Sequence, residues 1–171
     1  MAEATEEEKN IQTTLSRVPQ DHADLIKGYK YRWQAGNTLK GDEGHIGIIN
    51  PNNKTITIAA PWNYGREYTL LHELAHKVWE YFVPRKMKLF WKKIVNQTKH
   101  KMQQNAEELF CMAYANHFAK NKILIHTHKD WDAFIEKVKE LPTEKSQQAS
   151  QRPDPAEDLK LQAQSLRAAA Q

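Results

Sequence analysis

The stretch Tyr68-Thr69-Leu70-Leu71-His72-Glu73-Leu74-Ala75-His76 decides how the rest of the chain is read. It lies within Arg66 to Phe82, where Leu71, Ala75, Val78 and Phe82 recur at helical spacing until Pro84 stops the run. On a helix, side chains four residues apart sit one turn above each other. The imidazoles of His72 and His76 therefore face one side and can reach a single cation. Glu73 stands beside that point, where a carboxylate can polarise and deprotonate a water on the ion. With 8 His and 14 Glu in 171 residues, chance supplies an HExxH about 0.03 times. Two hydrogen-bonded surface histidines are the plainer reading. The apolar stripe opposite and the hairpin ahead of the helix favour a site.

A catalytic zinc ion takes three protein ligands and keeps a fourth position open. The extended metzincin pattern needs Gly at 79 and His at 82, but Trp79 and Phe82 stand there, so that subclass is excluded. The next candidates are Glu107 and Glu108, which open the apolar segment Ala106-Glu107-Glu108-Leu109-Phe110-Cys111-Met112-Ala113-Tyr114. A preference of acidic residues for a helix N-terminus accounts for one of them. An unpaired buried carboxylate is costly, so the other is expected to ligate.

Outward from this core, the chain reads as an α+β domain. Ile11, Leu15 and Val18 mark a short amphipathic helix before Pro19, either docked or frayed, and residues 1–18 form an N-terminal extension. Asp21 is placed as the cap of a short helix that Gly28 closes. Tyr29, Tyr31 and Trp33 alternate with Lys30 and Arg32, which predicts a strand with one buried face. Two β-prone runs, His45–Ile49 and Thr55–Ala60, flank Asn50-Pro51-Asn52-Asn53-Lys54 and predict a hairpin. After the His72 helix come helices over Met87–His100 (Met87, Phe90, Trp91, Ile94 and Val95 apolar), Asn105–Asn121 and Trp131–Val138. The domain is expected to span 19–142. Residues 143–171, rich in Gln, Ser and Ala, read as a flexible or weakly helical tail.

Composition narrows the classes further. The formal charge is only +4, yet no acidic residue lies between Tyr81 and Ala106, where Arg85, Lys86, Lys88, Lys92, Lys93, Lys99 and Lys101 fall. This block is read as a solvated helix face, with an electrostatic anchor for nucleic acid as the alternative. One cysteine, Cys111, rules out an internal disulfide and a Cys-based zinc finger, and is read as a small buried apolar residue. No apolar run suits a membrane span and the acidic start is unlike a signal peptide, so a cytoplasmic location, or release without a signal peptide, is expected.

Tyr68 to His76, followed by Asn105-Ala-Glu-Glu-Leu-Phe-Cys-Met-Ala-Tyr114, resembles the gluzincin metallopeptidases, in particular the catalytic domain of anthrax lethal factor and the minigluzincins. The similarity runs from about Pro19 to Asn121. It implies a zincin-like fold, with a small twisted β-sheet followed by an active-site helix and a glutamate helix. It implies Zn²⁺ as the cofactor and Glu108 as third ligand, Glu107 remaining the alternative. It also implies endopeptidase activity on a peptide or protein, with Glu73 as general base and substrate main chain paired to the Thr55–Ala60 strand. Two departures stand out. Lethal-factor-like enzymes carry an oxyanion-donating tyrosine where this chain has Lys101, so His100 or Lys101 is the candidate donor. Where the family tends to have an acidic residue four after the ligand, this chain has Met112.

The remaining histidines are read as structural. His117 is taken as a hydrogen-bonded core residue that could instead line the site, and His126 and His128 belong to a polar loop. The run Ala115-Asn116-His117-Phe118-Ala119 is similar to repressor-cleaving metallopeptidases, although their Glu just before it is missing. With the basic block, it supports an alternative role on nucleic-acid-bound proteins, as in SprT-like proteases. A structural zinc closed by four protein ligands is the third reading.

Overall fold

The computed structural model describes residues 5–34, 47–59, 65–97, 105–120 and 129–142. The N-terminal helix α1 (Glu6–Leu15) starts at a capping box: the Thr5 hydroxyl accepts from the Glu8 amide, and the Glu8 carboxylate accepts from the Thr5 amide. Its Ile11 and Thr14 are buried, so α1 is docked, not frayed. In α2 (Gln20–Asp24) the cap is Pro19, whose carbonyl accepts from the amides of His22 and Ala23. This corrects the expected cap at Asp21. Proline's fixed φ starts the helix earlier and leaves Asp21 in the first turn, where its charge suits the exposed N–H groups.

Three strands follow: β1 (Lys30–Trp33), β2 (Gly47–Asn50) and β3 (Thr55–Ile58). As the period-two pattern predicts, Tyr31 and Trp33 are the less exposed residues of β1. The hairpin forms, with Asn50 Oδ1 accepting from Asn52 N at 3.0 Å and from Asn53 N at 3.4 Å, and Lys54 taking a left-handed φ of 50°. The order is β1-β3-β2, with β1 parallel and β2 antiparallel to β3. Among the described residues β3 is thus the middle strand, and both its backbone edges are already paired. The expected pairing of a substrate with Thr55–Ala60 fails for that reason, and β2 carries an outer edge instead. Ile56 and Ile58, nearly inaccessible, suit the central place.

Four helices complete the described fold: α3 (Arg66–Tyr81), α4 (Arg85–Gln97), α5 (Ala106–Phe118) and α6 (Lys129–Lys139). The helix α3 is wrapped by α5, by β2 and β3, and by α1 and α2. Its predicted stripe of Leu71, Ala75 and Val78, with Phe82 just past its end, is fully buried, and Leu70 and Leu74 join it. Asn105 caps α5, its side chain accepting from Glu108 N at 2.8 Å. On α4, Trp91 and Ile94 are buried, but Phe90 is 49% exposed, so the expected apolar face is narrower than its sequence. Arg85, Lys86, Lys92 and Lys93 are exposed; Lys99 and Lys101 lie outside the described residues, as do His126 and His128. No described helix is long and apolar enough to cross a membrane.

The α4–α5–α6 junction is an aromatic cluster. Trp91 packs on Phe110, Trp131 and Phe134 with ring centroids at 6.0, 5.4 and 4.9 Å. Its indole N–H donates to the Ala106 carbonyl at 2.7 Å, which pins the first turn of α5. Truncating it removes a fully buried side chain and that bond together. Trp91→Ala should therefore cost about 3–5 kcal/mol of unfolding free energy in urea titration; a loss under about 1 kcal/mol would contradict this packing.

Candidate metal centre

The side chains singled out on α3 and α5 meet. His72 Nε2 lies 3.1 Å from Glu108 Oε2, and His76 Nε2 lies 3.2 Å from Glu108 Oε1. One carboxylate thus spans both imidazoles. The Nδ1 of His76 lies 2.9 Å from Glu107 Oε1. The two glutamates are therefore not equivalent: Glu108 faces the nitrogens that point into the site, and Glu107 holds the far side of one ring. A carboxylate on the outer nitrogen of a ligating histidine orients the ring and raises its basicity. This is a counterpart for the support that Met112 cannot give.

Glu73 sits on the same helix and is only 7% exposed. Gly47 at the start of β2 packs directly on it: a Cβ placed there would meet Glu73 Cγ and Oε1 at 2.8 Å. The lack of a side chain at position 47 is what lets the strand edge lie against this carboxylate.

Cys111 is buried as expected, but its surroundings are not simply apolar. Its Sγ and one nitrogen from each of His72 and His76 lie within 4.8 Å of one another, close enough for the three to hold one metal ion. Cys111 follows Glu108 by three positions, which puts both on one face of α5. That spacing was visible in the chain, yet it carries no weight until α5 is known to turn that face toward α3.

The electrostatics follow from these contacts. Burial opposes a charged His76, but hydrogen bonds with Cys111, Glu108 and Glu107 outweigh it and raise its pKa well above 6.5. Hydrogen bonds from His72 and His76 hold the Glu108 carboxyl far below 4.5. Burial pushes the Cys111 thiol up, so in the ion-free protein it stays protonated. Two imidazoles, a carboxylate and a thiol suit a zinc-like ion, which accepts nitrogen, oxygen and sulfur donors alike.

The other predicted residues fall elsewhere. His117 bridges Asp132 (3.0 Å) and Glu136 (2.8 Å) of α6, so it neither lines the site nor sits in the core. The core histidine is His22, fully inaccessible, with Nδ1 2.9 Å from the Tyr114 hydroxyl and a pKa lowered by burial to about 4. His100, the candidate oxyanion donor, lies outside the described residues, as does Lys101.

No family model, characterised protein or solved structure matches this chain.

Two tests follow from the geometry. In the ion-free site the His76 contribution to stability is fully present below pH 6.5 and is lost as pH rises through its raised value. That of Glu108 is present above pH 4.5 and is lost as pH falls through its depressed one. If this centre takes zinc, the ion must displace the His76 proton, and chelator-competition titrations should then give weaker affinity as pH falls. Affinity independent of pH from 8 to 6 would exclude His76 as a ligand. In the same assay Glu107→Ala should weaken binding by about 10–100-fold, and Glu108→Ala by more. The reverse order would exchange their roles.

Proposed function

We propose that this chain is a zinc-dependent endopeptidase with a zincin-like fold, His72, His76 and Glu108 holding the ion and Glu73 acting as general base. The observation that carries the reading is the meeting of both HExxH imidazoles with a carboxylate from a second helix, at 3.1 and 3.2 Å. The α+β arrangement is compatible with it, and the partners at the two ends of His76 favour Glu108 over Glu107 as the ligand.

When bound, zinc supplies a Lewis acid that brings the pKa of a coordinated water toward about 7 and polarises a substrate carbonyl. The protein supplies the rest. Glu73 takes the proton of the attacking water on a carboxylate oxygen and returns it to the leaving amine. The outer edge of β2 offers backbone groups to an extended peptide, in place of the Thr55–Ala60 strand. Its contact with Glu73 through Gly47 brings that edge beside the base.

The exposed Arg85, Lys86, Lys92 and Lys93 of α4 favour a second reading, in which the substrate is a protein bound to nucleic acid. Gel shifts at about 50 mM salt decide it, because phosphate contacts are strongest at low salt. Retention that fades as salt rises supports the anchor; no retention removes it.

For the peptidase itself, Glu73→Gln should leave zinc content unchanged and abolish cleavage of a peptide library, while undiminished cleavage would remove the base assignment. Gly47→Ala should displace the Glu73 side chain, because the added Cβ would meet its Cγ as well as its carboxylate oxygen. It is expected to lower kcat and, since Glu73 is buried, the melting temperature with it. A Gly47→Ala protein with native kcat would dissociate β2 from the chemistry.

A further inference from the structure

We propose that Cys111 is a fourth protein ligand of this centre, its sulfur occupying the position that water needs, so that the resting site is closed by the protein itself. The inference rests on the metal-centre reading above and concerns how that site is regulated. A zinc ion draws nitrogen donors to about 2.0–2.1 Å and sulfur to about 2.3 Å, which places neighbouring donor atoms of a tetrahedron about 3.5 Å apart. The Cys111 sulfur and the two imidazole nitrogens already lie within 4.8 Å of one another, so small side-chain movements complete the set. Glu108, on the preceding turn of the same helix, contacts both imidazoles through its two oxygens, so α5 brings a carboxylate and a thiol to the same pair of rings.

The thiol is buried, and most of its neighbours on α5 belong to the apolar core. Its sulfur nevertheless lies beside both imidazoles and hydrogen-bonds with His76. On ligation the S–H bond breaks, a sulfur–metal bond forms and the proton leaves to solvent; a coordinating thiol is deprotonated outright. Closed sites of four protein ligands are structural in character, and opening one position makes them catalytic. Cys111 thus separates a stored form from a working one: when sulfur leaves the ion, water can enter.

Cobalt(II) reports the ligand directly, since cobalt bound to thiolate absorbs strongly in the near ultraviolet through sulfur-to-metal charge transfer. The wild-type chain loaded with cobalt should show that band, and Cys111→Ala should lose it while still binding one equivalent. Cys111→Ala should then hydrolyse a peptide library faster than wild type, because its fourth position is open. Bound cobalt without the band overturns the assignment while leaving the His72–His76 centre intact. Slower hydrolysis by a fully loaded Cys111→Ala protein overturns the closing role. The band without hydrolysis in either protein keeps Cys111 as a ligand and removes the peptidase reading. Failure to bind cobalt at all removes the centre and this inference together.

Discussion

The contact on which this molecule turns is the Glu108 carboxylate spanning His72 and His76 across the α3–α5 interface. Neither helix makes the site alone. Two imidazoles on one face of α3 would be ordinary half-buried histidines, and a glutamate in the first turn of α5 an ordinary N-terminal charge. Packed together and partly withdrawn from water, the groups shift one another: His76 holds its proton more tightly and Glu108 releases its own more readily. Such mutual shifts between clustered titratable groups are typical of functional sites.

The rest of the described fold holds that contact in register. Burial of Leu70, Leu71, Leu74, Ala75 and Val78 fixes the roll of α3, while Leu109, Phe110 and Tyr114 fix that of α5. Trp79 packs on Phe110 with ring centroids 5.0 Å apart, one turn beyond His76. From the other side Trp91 holds the first turn of α5 by its indole hydrogen bond, so the position of Glu107 and Glu108 depends on the aromatic cluster. Between sheet and helix, Gly47 lets β2 approach Glu73 more closely than any side chain would permit.

Much of this was legible in the chain because its signals are local. Helical spacing placed α3 and the shared face of His72 and His76, and the Asn-rich turn placed the β2–β3 hairpin. The pair Glu107–Glu108 was recognisable as out of place in an apolar segment, although which of them meets the inward nitrogens depends on how α5 is rolled. What could not be read depends on contacts far apart in sequence. The parallel pairing of β1 with β3 moved the outer edge from Thr55–Ile58 to Gly47–Asn50. Cys111 looked like any small buried residue until the direction of its helix face was known, and His22 became the core histidine only through Tyr114, distant in sequence.

Zinc-edge X-ray absorption of the zinc-loaded protein observes the proposed coordination sphere directly. The expected first shell contains two imidazoles, recognisable from the outer-shell scattering of their rings, both lost when His72 and His76 are replaced by alanine. A shell without imidazole, or one unchanged by that double substitution, would contradict it.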